Sequence, residues 1–248
     1  MHRPMPTRLL LALLFVADGA VSLPAIGASS SRRFLLLHGS GTTAGAFLNS
    51  PTKLGAKNFL NGVPCRTDAN SALIPPNWLY TALDADSVDG GWYGKDFEGW
   101  EKSIVSIANT IESDQAVGLV GHEEGAVIAA AVAALSALGE GPPLKFAVLC
   151  GAAMPESGPV ADLLQRLRDT PGASIPTLHC ISESDPNCPP ESAEELAKCF
   201  GDSAEILRHD SGVGMPPPSW WEETQAFPER VIGGNRWCTQ FAGPFYYK

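Results

Sequence analysis

Two glycines enclose an acidic pair in the middle of the chain, in the sequence Gly121-His122-Glu123-Glu124-Gly125. A short apolar run precedes this frame, and a long segment rich in alanine and valine follows it. A Gly-x-x-x-Gly frame between a strand and a helix is typical of a nucleophile elbow, a sharp turn that exposes its central side chain above a sheet. The central residue, serine in elbows of the G-x-S-x-G type, is glutamate here. An ordinary strand-to-helix connection is the simpler alternative.

The chemistry open to Glu123 depends on its neighbours. A carboxylate can act as a nucleophile or as a general base. Because the N-terminus of a helix favours the anion, we expect the pKa of Glu123 to be lowered rather than raised. His122 is expected to pack sideways as a structural residue, since the neighbour of an elbow's central residue does not usually face the pocket. A further alternative pairs Glu123 with Asp185 to hold a divalent cation or to share a proton.

Apolar runs alternate with helical segments along most of the chain. The patterns predict strands at Phe34–Leu37, Trp78–Ala85, Ala116–Val120, Leu144–Cys150, Pro176–Ser182 and Ala204–Arg208. Besides the alanine-rich segment, they predict helices at Phe47–Leu60, Glu98–Glu112, Ala161–Arg168 and Ser192–Phe200. A loop rich in glycine and aromatic residues, GGWYG, follows the second strand. This alternation implies an α/β fold, with a mostly parallel sheet covered by helices on both faces.

Polar residues and glycines gather at the carboxyl ends of the predicted strands, where functional groups of such sheets meet. Gly39, Ser40 and Gly41 follow the first strand, and the backbone N–H groups of a glycine-rich exit suit an anion or an oxyanion. Asp185 comes just after the fifth strand, and His209 follows the last one. These residues are expected to lie on the same edge of the sheet as the elbow.

Four segments give the chain a resemblance to a known family. They are FLLLHGSGTTAGAF near the start, GLVGHEEGA at the elbow, PTLHCISESDPNCPPES in the second half and LRHDSGVGMPP further on. In order and spacing they resemble the FSH family of small serine hydrolases. The resemblance implies an α/β-hydrolase fold. It also implies an oxyanion turn in the first segment, then the catalytic serine, the aspartate and, in an H-x-G-G-H stretch, the histidine.

Compared position by position with that family, the chain departs from the catalytic triad. The resemblance places the elbow serine at Glu123 and the catalytic histidine at Val213, while Asp185 keeps its identity. His209 aligns with the first histidine of the H-x-G-G-H stretch. Since glutamate has no hydroxyl group to acylate and valine has no lone pair, a Ser–His–Asp mechanism is not expected.

We therefore predict a protein with a hydrolase fold that binds a small molecule or regulates without turnover. The alternative is a hydrolase of ester, thioester, epoxide or alkyl halide substrates. Such an enzyme would use Glu123 as its nucleophile or base together with Asp185, and His209 would be a possible partner. The residues expected to bind the ligand are Gly39, Ser40, Gly41 and Glu124.

Composition limits the classes of partner. With 248 residues, of which 44% are hydrophobic, the chain can bury one large core. A formal charge of −10 argues against nucleic acid or an anionic membrane surface as the partner. No cysteine or histidine spacing matches a zinc site, and the sequence implies no cofactor. A small-molecule ligand or substrate is the expected partner.

The two ends of the chain differ from its middle. Residues 1–28 combine a positive start with a compact apolar run and small residues, which is typical of a targeting signal. The apolar run is too short to span a bilayer. Secretion is the expected destination, with plastid or mitochondrial import as the alternative. The predicted domain covers residues 29–218, and an aromatic extension, residues 219–248, is expected to pack against it.

The chain contains six cysteines, an even number that an oxidising compartment would allow to pair. Cys150 and Cys180 fall at the ends of predicted buried strands and are expected to be core thiols. Cys188 and Cys199 are close enough in sequence to close a short loop through a disulfide. Cys65 and Cys238 lie in predicted loops.

Overall fold

Six parallel strands form one sheet in the computed structural model of the protein, which describes residues 32–49, 78–85, 91–213, 215–216 and 221–232. The strands are β1 (Arg32–Leu37), β2 (Trp78–Leu83), β3 (Ala116–His122), β4 (Phe146–Cys150), β5 (Thr177–Ser182) and β6 (Ala204–His209). Their order across the sheet is β2-β1-β3-β4-β5-β6, and each neighbouring pair is parallel. The predicted parallel sheet is therefore confirmed.

Helices cover both faces of this sheet, as predicted. They are α1 (Ala44–Asn49), α2 (Trp100–Asp114), α3 (Glu124–Ala137), α4 (Pro159–Arg168), α5 (Pro190–Lys198) and α6 (Trp221–Ile232). Apolar residues of α2, α3, α4 and α5 belong to one large buried cluster, whereas those of α1 and α6 belong to a second cluster on the other face. Side chains of β1 alternate between the two faces of the sheet. Leu35 and Leu37 therefore pack in the first cluster, and Phe34 and Leu36 pack in the second.

Helix α3 lies at the centre of the first cluster. Every residue from Gly125 to Leu135 is buried, so the helix is apolar on all sides rather than on one stripe. It packs against β3 and β4 and against the neighbouring helices α2 and α4. Alanine dominates its sequence, and these small side chains let the helix fit closely between the sheet and its neighbours. Helix α3 begins at the elbow, so this packing also anchors the elbow.

The first helix differs from its predicted position at Phe47–Leu60. Helix α1 begins at Ala44, because Asp84 and Thr43 accept hydrogen bonds from backbone N–H groups of its first turn. The N–H of Ala44 lies 2.7 Å from Asp84 Oδ1, and the N–H of Ala46 lies 3.2 Å from Thr43 Oγ1. Capping residues therefore set the start of this helix. Residues 50–60 of the predicted helix lie outside the described residues.

The predicted targeting segment, residues 1–28, lies outside the described residues, as do Cys65, Cys238 and residues 233–248 of the aromatic extension. The part of that extension within α6 packs on the domain. Phe227 is 1% exposed, and its ring meets the Phe146 ring edge-on at a centroid distance of 5.9 Å. No helix in the described ranges has both the length and the apolar content needed to cross a bilayer.

Four buried cysteines are free thiols. Cys150 and Cys180 lie in the core at paired positions of β4 and β5, as predicted. The suggested bridge between Cys188 and Cys199 is wrong. Cys188 packs in a small cluster with Ile181 and Ala193, whereas Cys199 packs in the large cluster that contains α3.

A glycine of the central strand gives the first prediction. A Cβ at Gly118 would lie 2.3–2.8 Å from ring atoms of Phe146 on the neighbouring strand, so Gly118→Ala forces the ring to move. We expect the substitution to lower the free energy of unfolding by about 1–3 kcal/mol.

Gly45 in α1 is the matched control. No atom of the described residues lies within 4 Å of a Cβ built there, so Gly45→Ala should raise stability by about 0.5–1 kcal/mol. Urea unfolding of both variants measures the two effects, and equal effects at the two glycines would contradict this account of β3.

Candidate functional site

The elbow turns at Glu123, between β3 and α3. Its backbone has φ 47° and ψ −117°, a conformation that L-residues rarely adopt. The N–H of Glu123 donates to the carbonyl of Cys150 at 2.8 Å, and the carbonyl of Glu123 accepts from Ala126 and Val127. Strain of this kind persists only where surrounding structure holds it, and it is common at functional sites. The structure therefore has the turn that the glycine spacing predicts.

The two glycines of the frame are required by close backbone contacts. A Cβ at Gly121 would lie 2.5 Å from the Cα of Ala126 in α3. A Cβ at Gly125 would lie 2.3 Å from the carbonyl oxygen of His38, just beyond β1. Since real Cβ atoms do not approach backbone atoms so closely, any side chain at either position would push β3, α3 and β1 apart.

The carboxyl group of Glu123 lies among groups that disfavour its negative charge. Its side chain is 25% exposed, and Oε2 lies against Gly39, 2.3 Å from the position of an added Cβ. Burial raises the pKa of Glu123, and the carboxylates of Asp185 and Glu124 raise it further. The expectation of a lowered pKa is therefore wrong, because burial and like charges outweigh the attraction of the helix N-terminus.

His122 packs sideways, as predicted. It is 2% exposed, its ring stacks on Phe47, and its Nε2 donates to the carbonyl of Val213 at 2.8 Å. A carbonyl only accepts, so the proton of the neutral ring is on Nε2 and the lone pair on Nδ1. Burial is the main cause of the lowered pKa of His122, so the 3.8 Å approach of Nδ1 to Glu123 Oε2 is not an ion pair.

Asp185 lies near enough to Glu123 for its charge to raise the pKa of Glu123. It is 7% exposed, and its Oδ1 accepts hydrogen bonds from the N–H groups of Asn187 at 2.8 Å and Cys188 at 3.2 Å. These bonds hold the carboxylate in its loop. Burial, together with the negative charges of Asp185 and Glu123, raises the pKa of the Cys188 thiol to about 12. Cys188 is therefore not a thiolate nucleophile at neutral pH.

Glu124 joins two loops through its carboxylate. Its Oε1 accepts from the N–H groups of Trp92 at 2.8 Å and Tyr93 at 3.1 Å, and its Oε2 accepts from the Ser40 hydroxyl at 2.9 Å. Ser40 and Glu124, both predicted to bind the ligand, are therefore bonded to each other, and their contact with a ligand stays a prediction. Of the remaining residues in the glycine turn, Gly39 lies under Glu123, and Gly41 is exposed with φ 67°.

His209 is buried at the end of β6. Its Nδ1 lies 2.8 Å from the hydroxyl of Ser211 and accepts from the N–H of Ser211 at 3.2 Å. This nitrogen is therefore engaged within its own loop. Val213, at the position that the resemblance gives to the catalytic histidine, contributes its backbone carbonyl to His122.

The alternative of a cation between Glu123 and Asp185 needs further ligands. Two other carboxylates near the strand ends are already engaged, since Asp84 caps α1 and Glu124 binds the two loops. Within the described ranges, no group of three or more histidine, cysteine, aspartate or glutamate side chains is arranged to hold a metal ion.

A cavity of about 340 Å³, here called the elbow cleft, lies next to this turn. Val127 in its wall is one helical turn beyond Glu123, and Tyr93 is bonded through its N–H to Glu124. Its lining residues are Tyr93, Asp96, Phe97, Val127, Ala153, Met154, Pro155, Glu156, Ser157 and Gly158. The sequence analysis missed these residues, although the Gly/aromatic loop that contains Tyr93 was visible.

Comparison with known proteins decides the family. A sequence model described as "Serine hydrolase (FSH1)" matches residues 28–223, which is most of the chain. The chain belongs to the FSH1 serine hydrolase family. This membership confirms the resemblance of the four sequence segments. No curated protein sequence matches the chain significantly.

Solved structures agree with FSH1 membership at the level of the fold. The acyl-protein thioesterase 2 of Zea mays superposes with a TM-score of 0.61 at 18% identity, covering 84% of this chain and 96% of its own. SOBER1 of Arabidopsis thaliana superposes with a TM-score of 0.58 at 14% identity, covering 81% and 99%. An esterase domain from Rhodothermus marinus gives a TM-score of 0.55 at 12% identity, covering 84% and 90%. The α/β-hydrolase fold is thus confirmed.

The raised pKa of Glu123 gives a pH-dependent prediction for this FSH1-family protein. Ionising Glu123 costs more in the folded than in the unfolded state, so the cost appears as pH rises above the ordinary carboxyl range. We expect Glu123→Gln to be more stable than wild type at about pH 8, with no difference near about pH 4. Urea unfolding across this range measures the effect, and a variant less stable at high pH would contradict it.

The matched change at the next residue should have the opposite sign. Glu124→Gln keeps one carbonyl oxygen but loses the charged acceptor between Ser40 and the Trp92–Tyr93 backbone. We expect a loss of about 1–2 kcal/mol in the free energy of unfolding. The same unfolding series measures it, and a gain in stability would show that Glu124 does not hold these loops.

Proposed function

We propose that this protein uses the hydrolase fold to bind a small molecule in the elbow cleft, without Ser–His–Asp catalysis. The single observation that carries the proposal is the residue at the centre of the elbow, Glu123. Glu123 has the strained backbone of a nucleophile position, yet its side chain has no hydroxyl or thiol that could form an acyl-enzyme.

The surroundings of Glu123 support a loss of acyl transfer chemistry. Hydrolysis by a serine nucleophile needs a base within hydrogen-bond reach of the hydroxyl group. His122 is a poor base for this role, because its Nε2 binds the Val213 carbonyl and its pKa is lowered. The Ser40 hydroxyl, the nearest described alternative in the glycine turn, donates to Glu124. The fold does not depend on the triad, so it persists without that chemistry.

A second candidate function is hydrolysis by Glu123 acting with Asp185. The observation that favours it is the raised pKa of Glu123, caused by burial and then by the neighbouring charge of Asp185. A carboxyl group of raised pKa near a second carboxyl group is a known arrangement for general acid and base catalysis. This candidate predicts turnover that disappears when Glu123 loses its carboxylate.

Both functions are tested by assaying the purified protein with an activated ester, a thioester, an epoxide and an alkyl halide. We expect wild type and Glu123→Gln to give the same background rate. We expect the double variant Glu123→Ser, Val213→His to gain ester hydrolysis at least about tenfold above background, because it restores a nucleophile and a base beside Asp185. Glu123→Ala with Val213→His is the matched control, since it has the histidine but no hydroxyl group.

Each outcome separates the candidates. Wild-type turnover that Glu123→Gln abolishes would support the carboxylate hydrolase and reject the binding role. Wild-type turnover that survives Glu123→Gln would reject both. Ester hydrolysis in the Ser–His double variant, with none in its alanine control, would support a hydrolase fold that has lost its nucleophile.

A further inference from the structure

The elbow cleft combines aromatic and acidic residues in one small cavity. Its volume of about 340 Å³ lies within the range of small-molecule sites. The rings of Tyr93 and Phe97 lie 4.5 Å apart, centroid to centroid, at an angle of 32° between their planes, and this pair is here called the aromatic wall. Met154 and Pro155 add apolar surface, and the exposed residues Asp96 and Glu156 supply carboxylates.

The charge in this cavity has one sign. No lysine, arginine or histidine of the described ranges lines it, and neither Asp96 nor Glu156 takes part in the ion pairs found there. The Glu124 carboxylate adds negative charge behind Tyr93, to whose N–H it is bonded. An anionic ligand would therefore meet repulsion here, and a cation would not have to displace a resident positive group.

The loop that carries the aromatic wall has a strained backbone. Asp96 and Phe97 have φ of 55° and 63°, so two successive non-glycine residues occupy the left-handed region. The turn is closed by hydrogen bonds from Phe97 to Gly94 and from Gly94 to Glu98. Gly158 faces the Phe97 ring, where an added Cβ would lie 3.2 Å from Cδ2. These features keep one aromatic and one acidic side chain at the cavity.

Faces of aromatic rings carry partial negative charge and attract cations. Carboxylates beside such rings attract the same cation through their negative charge. Burial, and to a lesser degree Glu124, raises the pKa of Tyr93, so its ring keeps the neutral phenol form. The cavity thus offers ring faces, apolar contacts and negative charge together.

We propose that the elbow cleft binds a small organic cation, with an alkylated ammonium group held between the aromatic wall and the two carboxylates. This inference rests on the proposed binding role and names the chemical class of its ligand. Its readout is equilibrium binding, whereas the proposed function is tested by turnover. Either one can therefore fail while the other stands.

Calorimetric titration of the full-chain protein with choline tests the inference. Its uncharged isostere, 3,3-dimethylbutan-1-ol, has the same shape without the charge, and 3,3-dimethylbutanoate carries the opposite charge. We expect choline to bind at least about tenfold more tightly than the uncharged isostere, and the anion not to bind. Equal binding of choline and the isostere, or no binding of choline, would overturn the inference.

Two pairs of variants assign the binding to this cleft. Asp96→Asn with Glu156→Gln removes both charges, and asparagine tolerates the left-handed backbone at position 96. Asp202→Asn with Glu112→Gln removes two exposed charges outside the cleft. We expect the first pair to weaken choline binding about tenfold and the second pair to leave it within about twofold. Equal weakening by both pairs would indicate that choline is attracted by the net charge of the protein alone, and would overturn the assignment of binding to the elbow cleft.

The aromatic wall has its own matched pair. Tyr93→Phe keeps the ring face and should retain choline binding, whereas Tyr93→Leu keeps apolar bulk without a ring and should weaken it about threefold to tenfold. The uncharged isostere should show no such difference. Equal affinities of the Phe and Leu variants for choline would overturn the role of the ring.

Discussion

The strained turn at Glu123 is the constraint on which the rest of the site depends. It can form only because Gly121 and Gly125 let the end of β3, the start of α3 and the end of β1 approach at distances that no side chain would permit. The buried, alanine-rich α3 holds one side of this turn, and the hydrogen bond from Glu123 to Cys150 holds the other. A residue in this position is aimed into the site whatever its chemistry.

That geometry brings three carboxylates together with very different surroundings. Glu124 accepts hydrogen bonds from two backbone N–H groups and a hydroxyl, and Asp185 accepts two from its own loop. Glu123 faces a neutral imidazole ring instead, and no hydrogen bond to its carboxyl group is formed in the described part of the chain. The electrostatic cost of the cluster therefore falls on the residue at the elbow. The raised pKa of Glu123 reflects this difference in surroundings.

Much of this could be read from sequence, because it depends on local patterns. The six strands and the elbow follow from apolar runs and from glycines at fixed spacing, and the order of four segments was enough to indicate the family. The start of α1 was misplaced, since its cap comes from Asp84, which is distant in sequence. The bridge between Cys188 and Cys199 failed for a similar reason, because the fold directs the two thiols into separate clusters.

The sequence by itself determined the fold, the position of the elbow and the absence of serine from it, since these depend on residue type and spacing. Only the tertiary structure decided how the acidic residues behave. Glu123 appeared to be a stabilised anion when only its place at a helix N-terminus was considered, but burial and two neighbouring carboxylates reverse that effect. Glu124 joins loops from elsewhere in the chain, a structural role that its place in the sequence did not indicate. Electrostatic energies depend on every charge and dipole within a few ångströms, and a sequence specifies such neighbours only after it has folded.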